Sequence, residues 1–431
     1  MKTVLVITYY WPPSGGGGVQ RWVKFTKYMA QFNVKPIVLT VNPDYASYAV
    51  IDESLCHEVS EDIQVFATKS FEPFNLYKKV TAQKEIPFGG FANEDNPGFL
   101  QKFSRFIRGN FFIPDARVGW NKYAYRKAVE LINKYQITTV ITSSPPHSTQ
   151  LLGLKLKKNL NIHWIADLRD PWTDIYYYDK MLHTKLAREI DKKKENKVLQ
   201  SAESLIVVSD AIKHLFASKL AIREKDKIVV IPNGFDADDF LPTPYKRQTK
   251  FVIAYTGTLA DNYHIEGFLN VVNKLISIRG SVEVSIHFVG RVSEKYRQMI
   301  SSSGLNAYTI FVGHVDHQTS ISYLQQADAL FLAIPDVPEN AGILTGKLFE
   351  YLASQKPVLG IGPVNGDAAK IIEECNAGQM FDYTDEKGMY EYLNNLIVDW
   401  EKPSRTSLGD QTYLKYSRER LTERLVELFP Q

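Results

Sequence analysis

The segment Asn340–Gly362 has the sequence NAGILTGKLFEYLASQKPVLGIG, in which a glycine-rich loop leads into a short helix and then a strand. The helix is predicted to begin at Thr345, because threonine is a fair N-cap and apolar residues then repeat at helical spacing. Pro357 ends it, and the apolar run from Val358 to Ile361 predicts a buried strand. This order of elements is typical of an α/β domain with a parallel sheet.

The N-terminus of this predicted helix has the features of an anion site. Free amides and the positive end of the helix dipole at Thr345 and Gly346 favour a phosphate. Lys347 lies in the first turn, where a cation opposes the dipole unless an anion is bound. Glu350, one turn further on, can accept two hydrogen bonds from a vicinal diol such as that of a ribose. The segment therefore fits a nucleotide-diphosphate site, and an ordinary amphipathic helix with a solvated Lys and Glu fits it equally well.

The composition is that of a globular protein of two or three domains, with 431 residues, 44% hydrophobic and 23% charged. The net charge of +3 is too small to indicate a nucleic-acid partner. Cys56 and Cys375 form no metal or redox motif, which fits a reducing compartment. No apolar run reaches the ~18 residues needed to span a membrane. We expect a cytoplasmic protein that needs no metal and no bound cofactor.

The first half of the chain begins as a strand, a glycine loop at Gly15–Gly18, a helix and a second strand. Two later strands end in the loops Ser143–Ser148 and Leu168–Asp174. Because the carboxyl ends of parallel strands meet at one edge of a sheet, these loops should converge. The glycine loop is not a dinucleotide fingerprint, since Gln20 and Arg21 stand where its third glycine is required.

Two groups of polar residues fall on these loops. His147 is a candidate for an acceptor-side polar or acid/base group, or it serves only as a cap of the turn. Asp167, Arg169 and Asp170 form either an internal ion-pair cluster that organises the loop or part of the chemistry. The sequence leaves both choices open.

A second α/β pattern begins at Phe251, after a linker around residues 242–248. Three of its strands end in glycine-containing loops, at Gly257-Thr258, Gly290-Arg291 and Gly313-His314. We predict domains at 1–243 and 244–410, and a final amphipathic helix, Tyr413–Leu428, within 411–431. Two similar doubly wound halves of Rossmann-like type predict a central cleft.

The segment 99–114 alternates aromatic and aliphatic residues with three cations, Lys102, Arg105 and Arg108. This pattern fits a helix lying on an anionic membrane surface, which would make the protein peripheral on the inner face of the cell membrane. It equally fits a helix packed on its own domain with its basic side chains reaching to solvent.

Taken in order, the motifs of the whole chain resemble those of the GT-B glycosyltransferases of glycosyltransferase family 4, which are retaining and use nucleotide sugars. In order along the chain, the residues that carry the resemblance are Pro12-Pro13 with Gly15–Gln20, Asp167–Trp172, Val208-Ser209, Ile231–Asp236 with Phe240, Tyr255–Leu259, Val289-Gly290, Gly346–Ala353 and Lys356–Val358.

The resemblance implies roles for individual residues. Gly17 and Gly18 should approach the donor diphosphate, Thr345 and Gly346 should give it amides, and Glu350 should hold the ribose. Gly257-Thr258 and Gly290-Arg291 should line the donor site, the loops at Gly290-Arg291 and Gly313-His314 should border the base, and His147 should lie near the reacting sugar. The last helix is expected to cross back to the N-terminal domain.

The chain departs from the family pattern in two places. Many members have a second glutamate eight positions before the one at Glu350, and here that position is Gly342. Many also have an Arg and a Lys after the first glycine of the C-terminal domain, where this chain has Thr258 and Asn262–His264. Lys347 is the residue best placed to replace those cations.

Three functions are weighed on this basis. The first is retaining transfer from a UDP- or GDP-sugar to a glycan or lipid-linked acceptor in cell-surface polysaccharide synthesis. The second is a sugar-nucleotide epimerase of the same architecture. The third is a non-catalytic partner that has lost donor chemistry, which the missing glutamate and cations motivate.

Overall fold

The computed structural model describes residues 1–71, 99–241, 245–279, 284–402 and 411–430 of the chain. They form two compact units, one of Met1–Asn233 with Arg418–Gln431 and one of Gly234–Ser417. Each unit has one parallel sheet with helices, which confirms the predicted class of two Rossmann-like doubly wound domains. The boundaries predicted at residues 243 and 410 lie outside the described residues.

The described sheet of the first unit has the strand order β3-β2-β1-β4-β5-β6-β7, and all of its pairs are parallel. Its strands are β1 Lys2–Thr8, β2 Val34–Val41, β3 Gln64–Thr68, β4 Thr139–Ser144, β5 His163–Leu168, β6 Ser204–Val207 and β7 Ile228–Val230. The helices of this part of the chain are α1 Gly17–Met29, α2 Phe99–Phe111, α3 Asn121–Tyr135, α4 Ser148–Asn159, α5 Lys185–Ser201 and α6 Asp210–Ser218.

Both faces of this sheet are buried, which explains the continuous apolar runs in the sequence. Along β1, Leu5 and Ile7 lie in one apolar cluster, whereas Val4 and Val6 lie in another. A strand that is covered on both sides cannot alternate apolar with polar residues. The edge strand β3 is different, because most of its side chains are exposed, and its sequence QVFAT gave no prediction of a strand.

The second unit repeats the arrangement, with the described strand order β10-β9-β8-β11-β12-β13. Its strands are β8 Phe251–Thr256, β9 Val284–Val289, β10 Thr309–Gly313, β11 Ala329–Ala333, β12 Val358–Ile361 and β13 Gly378–Phe381. Its helices are α7 Glu266–Arg279, α8 Glu294–Ser302, α9 His317–Gln326, α10 Gly346–Ser354, α11 Asp367–Glu374 and α12 Glu386–Glu401. The predicted helix and strand of the segment Asn340–Gly362 are α10 and β12.

The C-terminal segment was predicted as one helix from Tyr413 to Leu428, and this prediction is wrong. A short 3-10 helix, Thr412–Tyr416, belongs to the second unit, and the helix α13, Arg418–Val426, packs on α1 of the first unit. Ser417 between them has extended backbone angles and forms a bridge with Phe235. The tertiary pairing of Ser417 therefore interrupts a pattern that is helical in sequence.

Across the described ranges, the structure contains no helix with the length and hydropathy of a membrane span.

Candidate functional site

The carboxyl edge of the second sheet brings together the three predicted glycine loops. The amide of Gly257 donates to the carbonyl of Val289 at 2.7 Å, and Gly290 forms a bridge with Gly313. Gly290 has φ 132°, and a Cβ built on it would lie 2.2 Å from the carbonyl oxygen of Gly257. A side chain at that position is therefore excluded by both backbone angle and space.

Lys347 reaches from α10 to the loop after β8. Its Nζ lies 2.5 Å from the hydroxyl of Tyr255 and 3.4 Å from the carbonyl oxygen of Thr258. A Cβ built on Gly257 would lie 2.7 Å from Cε of Lys347, so glycine makes room for this side chain. The lysine thus lies beside the loop where the family pattern has its usual cation.

The charge of Lys347 has no carboxylate partner at salt-bridge distance within the described ranges. Burial lowers the pKa of its ammonium group to about 7, and the negative charge of Glu350 opposes that shift only in part. Neutral oxygens of Tyr255 and Thr258 hold the group instead. A desolvated cation of this kind attracts an anion, because ionic attraction is strong where water is excluded.

The N-terminus of α10 is open. Thr345 occupies the N-cap position, yet its side chain makes no capping bond, and its buried Oγ1 has no hydrogen-bond partner among the described residues. The first turn contains no acidic residue. A Cβ built on Gly346 would meet no atom within 4 Å. An unpaired buried hydroxyl and an accessible amide at a helix N-terminus are suited to an anion.

Glu350 lies one turn further along α10 and is partly buried. Its Oε1 is 3.0 Å from Nε2 of His317, the first residue of α9. His317 was not predicted from the sequence. The available signal was its place four residues after Gly313, just beyond a loop predicted to lie at this edge of the sheet.

Two tyrosines under the loop after β8 were also not assigned a role by the sequence. Tyr255 donates its hydroxyl to the carbonyl of Thr258 at 2.8 Å, and Tyr351 accepts from the amide of Thr256 at 3.0 Å. Burial raises the pKa of both tyrosines. They therefore remain neutral phenols that fix the loop and, through Tyr255, the lysine.

Arg291 has an exposed side chain, and its carbonyl accepts from the amide of Leu259 at 2.8 Å. The structure thus places this second candidate cation on the same loop pair as Gly257 and Gly290. Whether it contacts a donor stays a prediction.

At the carboxyl edge of the first sheet, Asp167 is fully buried and accepts three hydrogen bonds. The donors are Arg21 at 3.1 Å, Trp22 at 3.0 Å and Ser143 at 2.8 Å. Arg21 also donates to the carbonyl of Pro232 at 2.6 Å, and burial lowers the pKa of its guanidinium group. Because all three donors hold the carboxylate in place, this geometry supports the interpretation of Asp167 as a loop-organising residue.

Arg169 lies against the glycine loop, as the convergence of the strand ends predicts. A Cβ built on Gly18 would lie 2.0 Å from Nη1 of Arg169, whereas one on Gly17 would meet no atom within 4 Å. The pKa of the neighbouring Asp170 is raised by burial, against the opposing charge of Arg169. The two glycines therefore have different roles: Gly18 makes room for the side chain of Arg169, and Gly17 leaves the start of α1 unobstructed.

His147 occupies the N-cap position of α4 but its side chain makes no capping bond, so the interpretation of His147 as a side-chain cap is wrong. The carboxylate of Asp115 accepts from the amide of Ser148 at 2.7 Å instead. The His147 ring stacks on Trp172, with centroids 4.8 Å apart and planes 13° apart. Burial, and then the charge of Arg169, lowers the pKa of His147 to about 3. The imidazole is therefore neutral at physiological pH.

The helix α2 does not present its three cations together. Arg105 is only 4% exposed, and burial lowers the pKa of Arg108 to about 10, whereas Phe103 is 55% and Phe111 is 73% exposed. Both interpretations of 99–114 require its basic side chains at the surface, and the buried Arg105 does not meet this requirement. Phe103 and Phe111 therefore face outward, whereas Arg105 turns inward.

A metal site was not predicted, and the described residues contain no group of three or more His, Cys, Asp or Glu placed to hold a metal ion. Transfer without a metal or cofactor stays a prediction.

Two family models match the chain and together cover most of it. The model described as Glycosyltransferase Family 4 matches residues 88–239, and the model described as Glycosyl transferases group 1 matches residues 238–413. These two matches, together with the two parallel Rossmann-like sheets, identify the protein as a glycosyltransferase of the GT-B class. Within that class, the chain belongs to glycosyltransferase family 4.

Solved structures with this fold cover nearly the whole chain. HepE from Anabaena in complex with UDP matches with a TM-score of 0.64 at 14% identity, over 99% of each chain. A mutant of TarM from S. aureus with fondaparinux, α-GlcNAc-glycerol and UDP has a TM-score of 0.60 at 13% identity, over 100% of each chain. Sucrose-phosphate synthase from Thermosynechococcus elongatus has a TM-score of 0.61 at 15% identity, over 99% of this chain and 98% of that one. No curated protein sequence matches the chain.

Proposed function

We propose that the protein moves a sugar, with retention of configuration, from a UDP- or GDP-linked donor to a glycan or lipid-linked acceptor in cell-surface polysaccharide synthesis. The observation that carries the proposal is the arrangement of Lys347, a desolvated cation held by neutral oxygens, beside the open N-terminus of α10. The presence of UDP in the HepE and TarM complexes supports a nucleotide donor.

The donor is assigned in two parts to the second unit. The diphosphate would accept hydrogen bonds from Thr345 Oγ1, the amide of Gly346 and Lys347, and the ribose diol would donate to Glu350. These groups lie on successive turns of α10, so one helix fixes the spacing between phosphate and sugar. The glycine loops at Gly257 and Gly290 allow the donor to approach the backbone.

Catalysis in this proposal rests on the leaving group. As the bond between the anomeric carbon and the phosphate oxygen breaks, the diphosphate gains negative charge, which Lys347 and the helix amides stabilise. Arg291 is a second cation for the same charge. An interaction that strengthens as this charge develops lowers the barrier rather than only binding the substrate.

We favour a displacement in which the acceptor attacks the face that the diphosphate leaves, and the departing phosphate takes the acceptor's proton. Asp167 is held by three donors, and burial raises the pKa of Asp170, so neither carboxylate is a ready nucleophile. We assign neutral His147 on the first unit to orienting the acceptor.

The test is a turnover screen of UDP- and GDP-sugars with the wild-type protein, Glu350→Ala and Lys347→Ala. We expect both variants to lose at least ~100-fold in kcat/KM for the active donor. Lys387→Ala is the matched control, because Lys387 is a lysine of the same unit whose side chain is 88% exposed. Near-full activity in both site variants would show that the donor site lies elsewhere.

The same turnover screen, together with a thermal-shift panel of nucleotide diphosphates, distinguishes transfer from the other two functions. An epimerase would change the nucleotide sugar when no acceptor is present, and a non-catalytic partner would bind no nucleotide diphosphate in a thermal-shift panel. A product that appears only with an acceptor present supports transfer.

We also propose that the protein contacts an anionic membrane surface through α2. The exposed aromatic side chains are Phe103, Phe106 and Phe111. The side chain of Asn110 in α2 donates a hydrogen bond to the carbonyl of Leu182 at 3.0 Å. This bond brings α2 next to Leu182, which is itself an apolar residue with 44% of its surface exposed. Residues 179–194, the segment that contains Leu182, carry six Lys or Arg and three acids, so this segment has a net positive charge that would favour an anionic surface.

Co-sedimentation with vesicles of anionic or neutral lipid tests this contact. Replacing Phe103, Phe106 and Phe111 together by Ser should abolish binding to anionic vesicles, while Ile222→Ser, which removes an 85% exposed residue of the same unit, should not. Equal binding of both variants, or no binding of the wild type at low salt, would contradict the proposal.

A further inference from the structure

The second unit contains a histidine, His317, that lies between two carboxylates. The proposed mechanism gives this histidine no role. His317 Nε2 lies 3.0 Å from Oε1 of Glu350, and its Nδ1 lies 3.9 Å from Oδ2 of Asp239. The three side chains are 15–23% exposed, so water only partly screens them. The three residues come from separate parts of the chain, and the fold of the second unit brings them together.

The chemistry of this contact fixes the position of one proton. An ionised carboxylate only accepts hydrogen bonds, so Nε2 of His317 must carry the hydrogen and donate it to Glu350. His317 is itself held at the start of α9, where Asp316 accepts a hydrogen bond from the amide of Thr319 at 2.8 Å and caps the helix. His317 is therefore fixed by its helix on one side and faces Asp239 on the other.

The hydrogen bond from His317 restricts the rotation of the Glu350 carboxylate. A glutamate carboxylate rotates easily about its last torsion, because the wells of that torsion are broad. A hydrogen bond from His317 to Oε1 removes this freedom and leaves Oε2 and the remaining lone pair of Oε1 for two further donors. A vicinal diol supplies two hydroxyl donors with a fixed separation.

We propose that His317 is a positioning residue that orients Glu350 to bind the ribose diol of the donor nucleotide. This inference rests on the proposed donor site and adds the residue that sets its preference for ribose. His317 contacts Glu350 rather than the reacting atoms.

The experiment measures the affinity of the full chain for UDP and GDP, each compared with its 2′,3′-dideoxy counterpart. We expect the wild type to prefer the ribonucleotide, and His317→Ala to lose roughly ten-fold of that preference through weaker ribonucleotide binding alone. Affinity for the dideoxynucleotide should stay within about two-fold, since it has no diol to lose.

Two further variants make the result specific. His317→Gln keeps an N–H donor and should retain most of the preference. Gln318→Ala is the matched control, because Gln318 is the next residue of α9 and contacts the carbonyl of Asp239 at 3.4 Å. It should leave both affinities unchanged.

An equal loss of affinity for both nucleotides in His317→Ala would show a general structural role and would overturn the inference. A wild type that binds UDP or GDP without any preference over the dideoxy form would also overturn it, while leaving the phosphate part of the proposed donor site intact. A wild type that binds neither nucleotide would instead contradict the proposed function itself.

Discussion

At the carboxyl edge of each sheet, glycine residues lead into the N-terminus of a helix. The two edges differ in whether their buried charged side chain has an ionic partner. In the first unit, the fully buried Asp167 is paired with Arg21 at 3.1 Å and accepts two further hydrogen bonds. In the second unit, Lys347 is held by the neutral oxygens of Tyr255 and Thr258.

We infer from this difference that the first edge is organised for stability and the second edge for binding an anion. A buried charge that is paired and hydrogen-bonded completes its own network, so little is gained by adding a ligand. A buried cation without a counter-ion is unfavourable alone, and an anionic ligand relieves the cost of its desolvation. The second unit is therefore where we place the diphosphate.

The largest expected effect is on the stability of the first unit. Asp167→Ala leaves Arg21 as an unpaired buried charge, which costs about 3–5 kcal/mol of unfolding free energy. Asp174→Ala is the control, because the pair of Asp174 with Lys219 is partly exposed and its loss should cost no more than about 1 kcal/mol. Denaturant unfolding measures both variants. A cost for Asp167→Ala as small as that of the control would mean that the network does not hold the loop.

The second effect is on ligand affinity rather than on stability. Lys347→Met removes a desolvated cation, so unfolding free energy should not fall, while the affinity for UDP or GDP should drop roughly 10–100-fold. Calorimetric titration and denaturant unfolding of the same sample give both quantities. If stability falls as in Asp167→Ala while affinity is unchanged, the contrast between the two edges is incorrect.

The smallest effect distinguishes Gly17 from Gly18, the two glycines with which α1 begins. Gly18→Ala must displace the guanidinium of Arg169, a movable group, so its cost should stay near 1 kcal/mol. Because Arg169 contributes to lowering the pKa of His147, that pKa should rise in Gly18→Ala, while remaining low because burial is the larger cause.

Gly17→Ala is the matched control for this change, since a Cβ there meets nothing within 4 Å. Titration of the His147 ring by NMR should show no change in it. A His147 pKa that is the same in both variants would mean that Arg169 does not act on the ring.

Much of this arrangement could be predicted from the sequence, because it depends on local order. Continuous apolar strands, the glycines after them and a helix N-terminus at Thr345 are features of neighbouring residues, and parallel topology then places their ends at one edge. Lys347 was notable for the same reason, as a cation in a first helical turn.

The rest depends on contacts between distant residues. His317 and Glu350 are 33 positions apart, and Lys347 and Tyr255 are 92 apart. The inward direction of Arg105 in α2 and the break at Ser417 likewise come from tertiary packing that overrides a helical pattern. Sequence periodicity contains no information about which of these partners meet.

The role of Lys347 as the diphosphate cation is tested by counting the protons that the protein takes up when UDP or GDP binds at pH 8. The pKa of Lys347 is lowered to about 7, so the free protein holds this lysine mostly neutral at pH 8, and a bound diphosphate should raise that pKa and protonate it. Calorimetry in buffers of different ionisation enthalpy should give a net uptake approaching about one proton for the wild type and none at this site for Lys347→Arg, which carries a permanent charge. Equal uptake by the two proteins would contradict the assignment of Lys347 as the diphosphate cation.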